Sequence, residues 1–177
     1  MRISRAGRLS NSRGFTLVEL GMVVFLLGLF AALSIPLFYS GGDSALHADA
    51  RKISTTVRYL YNEAAISGAQ HRMRCTLETG LFELEFVDGA GEWRGIENKR
   101  DTLQLDNEVR IRDIWSEDVG KVSNGTATIN IYPQGWMPAT TIHLQSGSGS
   151  KTKDLSIHLL PLSGLGEIEE GYHDFEG

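Results

Sequence analysis

Glu19 is the only charged side chain between Gly14 and Gly42, and it lies inside the apolar run FTLVELGMVVFLLGLFAALSIPLF. An ionised carboxylate held in hydrocarbon costs about 2.5–3.5 kcal/mol on insertion scales, so Glu19 needs a cationic partner. Its own helix offers none. A cut between Gly14 and Phe15 would create one, because the new α-amino group is positively charged and stands one helical turn from Glu19. Amine and carboxylate could then pair within one chain or between neighbouring chains. Pairing between chains would set a fixed axial stagger as subunits stack.

Other residues with reactive or ligating side chains form weaker patterns. His143 and His158 alternate with Ile142/Leu144 and Ile157/Leu159, which predicts exposed strand histidines. A hairpin centred at Ser150-Lys151 would set them across from each other, as two imidazoles where a structural metal site wants about four ligands. His47, His71 and His173 share no spacing with them, and no metal or cofactor is expected. The segment 167–176 holds five acids and one His. Clustered carboxylates attract Ca²⁺, but no EF-hand order is present and a solvated, mobile terminus is expected. Cys75 is the only cysteine, so no intramolecular disulfide can form, and it is expected to pack as a small apolar side chain. Asn124-Gly125-Thr126 matches a glycosylation acceptor by pattern and reads as a tight turn. No serine-nucleophile motif, phosphate-binding glycine loop or zinc cysteine set occurs, so no catalytic residue is assigned and no enzyme is expected. Trp93, Trp115 and Trp136 are candidate partner contacts, because tryptophan is enriched at interface hot spots. Trp136, between Gly135 and Met137-Pro138, is the first choice.

The elements that must carry these residues follow from charge and periodicity. Residues 1–14 contain Arg2, Arg5, Arg8 and Arg13 and no acid; without them the chain has 13 basic and 22 acidic side chains, a net charge of −9 rather than −5. An acidic body speaks against nucleic acid as a partner. As a helix, the 21 residues 15–35 extend about 31 Å, close to the hydrocarbon thickness of a lipid bilayer. The preceding arginines place the N-terminus in the cytoplasm and the remainder across the membrane. Pro36 should kink a helix passing through it, and Gly41-Gly42 is a second weak point. Asp43 and Ser44 can cap a further helix. There Leu46, Ala50, Ile53, Val57, Leu60 and Ala64 form one apolar stripe up to about Gly68, opposite Arg51, Lys52, Arg58 and Glu63, with Asp49 flanking. Beyond Gly68 the period becomes two. Strands are predicted in RMRCTL, LFELEFVD, EVRIRDIW (with a phase slip at Asp113-Ile114), ATINIYP, ATTIHLQ and KDLSIHLLP, and a short last one in GEIEE; SGSGS, 146–150, reads as a loop. The expected architecture is α+β: a leader over 1–14, a transmembrane and assembly helix over 15–40, an amphipathic helix over 41–69, and an antiparallel β domain over 70–177. The amphipathic helix should cover one face of a single sheet.

A secretory signal peptide has an h-region of about 7–15 residues. The run here is longer, although FAALS offers a weak cleavage site. Neither a signal peptide nor a plain signal anchor explains Glu19. RGFTLVEL, 13–20, resembles the type IV prepilin processing motif: basic leader, Gly, then Phe-Thr-Leu-Val-Glu. The resemblance implies cleavage after Gly14 by an inner-membrane prepilin peptidase, N-methylation of Phe15, and use of Glu19 in assembly. Pro36, the twenty-second residue after the cut, matches the helix-kinking proline of that family.

The remainder is similar to the minor pseudopilins of the GspH/FimT-like family, type II secretion protein H among them. INIYPQGWMPATTIHL, 129–144, is similar to their Phe-x-Pro-x-Gly strand-turn-strand segment, with Tyr132 at the aromatic position. LSIHLLPLSGLGEI, 155–168, resembles their closing strand, although Ser163-Gly164-Leu165 departs from the usual Thr-Gly-Arg. LQLDNEVRI looks like their mid-domain strand, with Asp106 and Asn107 near where Pro-x-Gly is common. This resemblance implies a pilin-like fold and a structural subunit in or near the tip of a periplasmic pseudopilus that drives folded proteins across the outer membrane. It also implies, as partners, other minor pseudopilins, the major pseudopilin, the prepilin peptidase, the inner-membrane assembly platform and the lipid bilayer. The alternatives are a minor pilin of a type IV pilus, serving motility or DNA uptake, and an anchored or secreted β-domain that binds a ligand or acts as an enzyme.

Overall fold

The apolar run forms α1, Leu17–Phe38. In the computed structural model of the protein the residues described are 17–38, 41–96, 101–147 and 152–174. The chain divides into two units, Met1–Ser40 and Gly41–Gly177. Every described side chain of α1, up to Phe30, is exposed, and all residues from Leu17 to Phe30 except Glu19 are apolar or glycine, so this stretch has no polar face to set against an apolar one.

The second unit begins with α2, Gly41–Ser67. It starts at Gly41, upstream of the expected Asp43-Ser44 cap, and ends one residue before Gly68. All six residues of its predicted stripe are buried. The four larger ones, Leu46, Ile53, Val57 and Leu60, each contribute about 1.5–3 kcal/mol when fully buried.

Among the described residues ten strands follow: β1 His71–Thr76, β2 Leu81–Val87, β3 Trp93–Gly95, β4 Thr102–Gln104, β5 Val109–Ser116, β6 Gly120–Val122, β7 Thr126–Ile131, β8 Thr140–Ser146, β9 Lys153–Leu159 and β10 Gly166–Glu170. They make two antiparallel sheets rather than one. The first runs β3-β2-β1-β7, with β4 also on β2; the second runs β10-β9-β8-β5-β6. β3 and β4 lie end to end along one edge of β2, opposite residues 85–87 and 81–83. Helix α2 packs on β1 and β7 of the first sheet and on β5, β8, β9 and β10 of the second. One helical stripe therefore serves both sheets. Met73, Cys75, Phe82, Leu84, Ile129 and Ile131 meet it from one sheet, and Ile114, Ile142, Leu144, Leu155 and Ile157 from the other.

Alternation marks strands but does not say which sheet a strand joins. LQLDNEVRI is a crossover rather than one strand. β4 ends at Gln104, the Asp106 carbonyl accepts the Val109 N–H, and β5 opens in the second sheet. Asp49 holds this crossover from α2, accepting the Asp106 N–H at 2.6 Å and Lys52 Nζ at 2.7 Å. It is buried rather than flanking the stripe. Asn124 and Gly125 bend the chain from β6 back to β7 of the first sheet; Gly125 has φ +76°, and its N–H bonds the Glu78 carboxylate.

The predicted phase slip is a β-bulge. Ile111 pairs with Leu144, but Asp113 pairs with His143, so Arg112 is the extra residue. The bulge moves Asp113 off the core face onto the side of His143 and returns Ile114 to the core opposite Ile142.

Candidate functional site

Three regions carry the residues on which function could rest. The first is α1. Gly14 and Phe15 lie outside the described residues. Glu19 sits in the first turn of α1 and is exposed. Pro36 lies two residues before the end of α1; its side chain is outside the described set, as is the SGSGS loop from 148 to 150. Among the described residues no helix is long and apolar enough to cross a membrane, and the expected span over 15–40 extends past Phe30, where the described side chains of α1 stop.

The second region is a pair of turns joined by Tyr61. After β7, Tyr132 and Trp136 form an isolated bridge, with Tyr132 N–H donating to the Trp136 carbonyl at 3.0 Å. Gly135 N–H closes the turn on the Tyr132 carbonyl, at φ +82°, a conformation that favours glycine. The Tyr132 and Trp136 rings stack 4.3 Å apart at 15°. Trp136 is 42% exposed, while the next residue, Met137, is fully buried. Met137 N–H donates to the Pro161 carbonyl in the turn between β9 and β10. In that turn Gly164 has φ +61° and lies so close to α2 that a Cβ there would meet Tyr61 Cγ at 2.6 Å. Tyr61 Oη donates to the Gly135 carbonyl of the other turn. One tyrosine thus fixes both turns, which present Trp136, Leu162 and Leu165 outward.

The third region is a polar cluster on the outer side of the second sheet. His143 is buried, not an exposed strand residue. Its Nδ1 is 2.7 Å from Asp113 Oδ1 and its Nε2 is 2.8 Å from the His173 carbonyl. The Tyr172 ring stacks on it at 3.9 Å and 18°. Tyr172 Oη donates to Asp113 and accepts from Lys121, whose pKa this bond raises, with the Asp113 charge adding to it. His143 and His158 are not opposite one another; the hairpin pairs His143 with Ser156 and His158 with Thr141. His173, which shares no sequence pattern with either, belongs to the same cluster. His158 and His173 both face Glu169, at 3.6 and 3.9 Å.

The expected mobile terminus is docked as far as His173. β10 pairs with β9, Gly171 N–H donates to the Asp154 carbonyl at 2.8 Å, and Ser156 Oγ bridges the Gly171 carbonyl and the His173 N–H. Two signals could have found this cluster: the bulge in β5, and the aromatic-histidine pair after GEIEE. Among the described residues no group of three or more His, Cys, Asp or Glu is arranged to hold a metal ion. Cys75 is buried and free, and burial, with the nearby Glu78 charge, pushes its thiol up to about 12.

An N-terminal helix followed by antiparallel sheets packed on a second helical segment is a pilin-like α+β fold. No protein-family model and no curated protein matches the chain. Two solved structures of the minor pseudopilin EpsH from the type II secretion system of Vibrio cholerae are similar to it. One has 14% identity and a TM-score of 0.57 over 75% of this chain and 99% of EpsH. The other has 12% identity and a TM-score of 0.53 over 71% and 94%. The type IV minor pilin FimU of Pseudomonas aeruginosa is also similar, at 12% identity and a TM-score of 0.44 over 76% of this chain and 92% of FimU. At such identities the likeness to EpsH is one of fold.

Proposed function

We propose that this chain is a minor pseudopilin of a type II secretion system, a structural subunit in or near the tip of a periplasmic pseudopilus. The observation that carries the reading is Glu19: a lone carboxylate in the first turn of an apolar helix, five residues after a glycine that follows a basic leader, ahead of a pilin-like domain. In this reading a prepilin peptidase cuts between Gly14 and Phe15, and Phe15 is N-methylated. Glu19 then pairs with a mature N-terminal amine as subunits stack. The helix over 15–40 anchors the subunit once in the inner membrane, with the N-terminus cytoplasmic and the second unit periplasmic. Trp136 and the paired turns contact other minor pseudopilins, and no catalytic step is assigned.

The test is the intact mass of membrane-extracted protein made with and without a prepilin peptidase. A peptidase-dependent product that starts at Phe15 and carries one added methyl is expected. A full-length chain, or one cut near Ala32, overturns the reading in favour of an anchored or secreted β-domain. A deletion strain should then lose exoprotein secretion. Loss of twitching or transformation with secretion intact would reassign the subunit to a type IV pilus.

A further inference from the structure

We propose that residues 171–174 form a strap whose closure over the second sheet takes up one proton on the Asp113–His143 pair. The inference is independent of the role proposed above. His143 Nε2 faces a backbone carbonyl, which can only accept, so this nitrogen must carry a proton. Its Nδ1 stands 2.7 Å from a carboxylate oxygen, and a proton must lie between them as well. Closed, the pair therefore holds two protons; a neutral ring beside an ionised carboxylate holds one. Losing that proton sets lone pair against lone pair at one of the two contacts. His143 is fully buried, so water cannot replace the lost bond.

The contact at stake on the strap side is the His173 carbonyl. The Tyr172 ring on the face of His143 and the Tyr172 hydroxyl on Asp113 belong to the same segment. The charged and titratable groups facing the pair come from every neighbouring element. From β6, Lys121 stands 3.5 Å from Asp113 Oδ2. From β5, Arg112 lies over the Tyr172 ring at 4.4 Å. From β9 and β10, His158 faces Glu169, and Glu169 in turn faces His173. Closure is thus favoured on the acid side and weakens as pH rises and the pair gives up its extra proton. One linked proton shifts the ratio of closed to open by up to about tenfold per pH unit.

The experiment follows amide hydrogen exchange of Gly171 and His173 in the full chain, held in non-ionic detergent, across the imidazole titration range. Rates are corrected for their intrinsic pH dependence. The His173 amide is hydrogen-bonded to Ser156 while the strap is docked, whereas the Gly171 amide continues the β10–β9 ladder and reports on the sheet edge. Protection of the His173 amide is expected to fall by up to about tenfold per pH unit on the alkaline limb, with that of Gly171 changing less. The same fall is expected in His158→Gln and in His173→Gln, since the strap uses only the His173 backbone for its bonds to His143 and Ser156. His143→Gln, which cannot take up the proton, should give weaker and pH-independent protection. Protection in the unsubstituted chain that does not change with pH overturns the proposal without recourse to any variant. So does a pH dependence that disappears when His158 or His173 is replaced.

Discussion

Gly164→Ala tests whether Tyr61 and the turn between β9 and β10 are packed as tightly as the structure requires. A Cβ at 164 would lie 2.6, 2.7 and 2.8 Å from Tyr61 Cγ, Cβ and Cδ2, and the backbone there has φ +61°. Holding a non-glycine residue in that left-handed conformation costs about 1–2 kcal/mol. Overpacking against a ring that cannot easily swing away adds about 1–3 kcal/mol. Tyr61 is held at its other end by the Gly135 carbonyl, so the sum of about 2–5 kcal/mol should appear largely as lost stability. Urea unfolding of the full chain in mild detergent, followed by tryptophan fluorescence, measures it. A double-mutant cycle with Tyr61→Gly, which removes the Cβ at 61 as well as the ring, separates the two contributions. With the ring and the Cβ both removed the clash is gone, and Gly164→Ala should cost only the conformational part, about 1–2 kcal/mol. A cost below about 0.5 kcal/mol in the unsubstituted background, or equal costs in both backgrounds, would refute the packing argument.

Cys75 should resist iodoacetamide in the folded chain at pH 8 and react at once in denaturant, because burial pushes its thiol up to about 12 and leaves almost no thiolate; quantitative labelling of the native chain by mass spectrometry would contradict this. Asp49→Ala should destabilise by about 1–3 kcal/mol in the same urea assay, since it orphans the Asp106 N–H where the chain crosses between sheets. Asp88 has its pKa lowered, first by the Arg94 side chain and then by the backbone N–H groups of Glu92 and Ala90. Its contribution is therefore present above the unfolded value of 3.8 and lost as pH falls through the lower native one. Exchange of the Ala90 and Glu92 amides should rise over that acid interval, and Asp88→Asn should remove the dependence. Glu19→Val should leave peptidase processing unchanged and abolish incorporation into sheared fibres; normal incorporation would remove Glu19 from assembly.

The helical stripe of α2 was fully legible because a 3.6-residue period with six apolar positions has few competing explanations, and the side chains at 46, 50, 53, 57, 60 and 64 are all buried. Most strands were legible for the same reason at period two. The three-residue strands β3, β4 and β6 were not, because three residues hold too little alternation to stand out. The assignment of strands to two sheets was also hidden. A stripe wide enough for one sheet looks the same in sequence as one shared between two, and the residue that reveals the sharing is Asp49. A carboxylate beside an apolar stripe reads as a solvated flank. It is buried because the crossover at Asp106 presents a backbone donor to it, and no local pattern announces a donor 57 residues away.

The polar cluster shows the same limit from the opposite direction. Alternation placed His143 correctly, on the face away from Ile142 and Leu144, and then failed on what that face meets. Outward is a direction relative to one core, and exposure follows only if nothing else covers the sheet. Here the bulge at Arg112 turns Asp113 to the same face, and a buried carboxylate beside a buried imidazole is tolerable only if the remaining hydrogen-bonding positions of both are filled. The terminal segment fills them: Tyr172 supplies a hydroxyl and a ring, and His173 a carbonyl. The acids of 167–176 made this segment look solvated, yet three of them, Glu167, Glu169 and Glu170, sit on an edge strand, where exposed charge discourages further strand pairing. The charge that suggested a mobile tail is better explained as protection of the edge of a docked one.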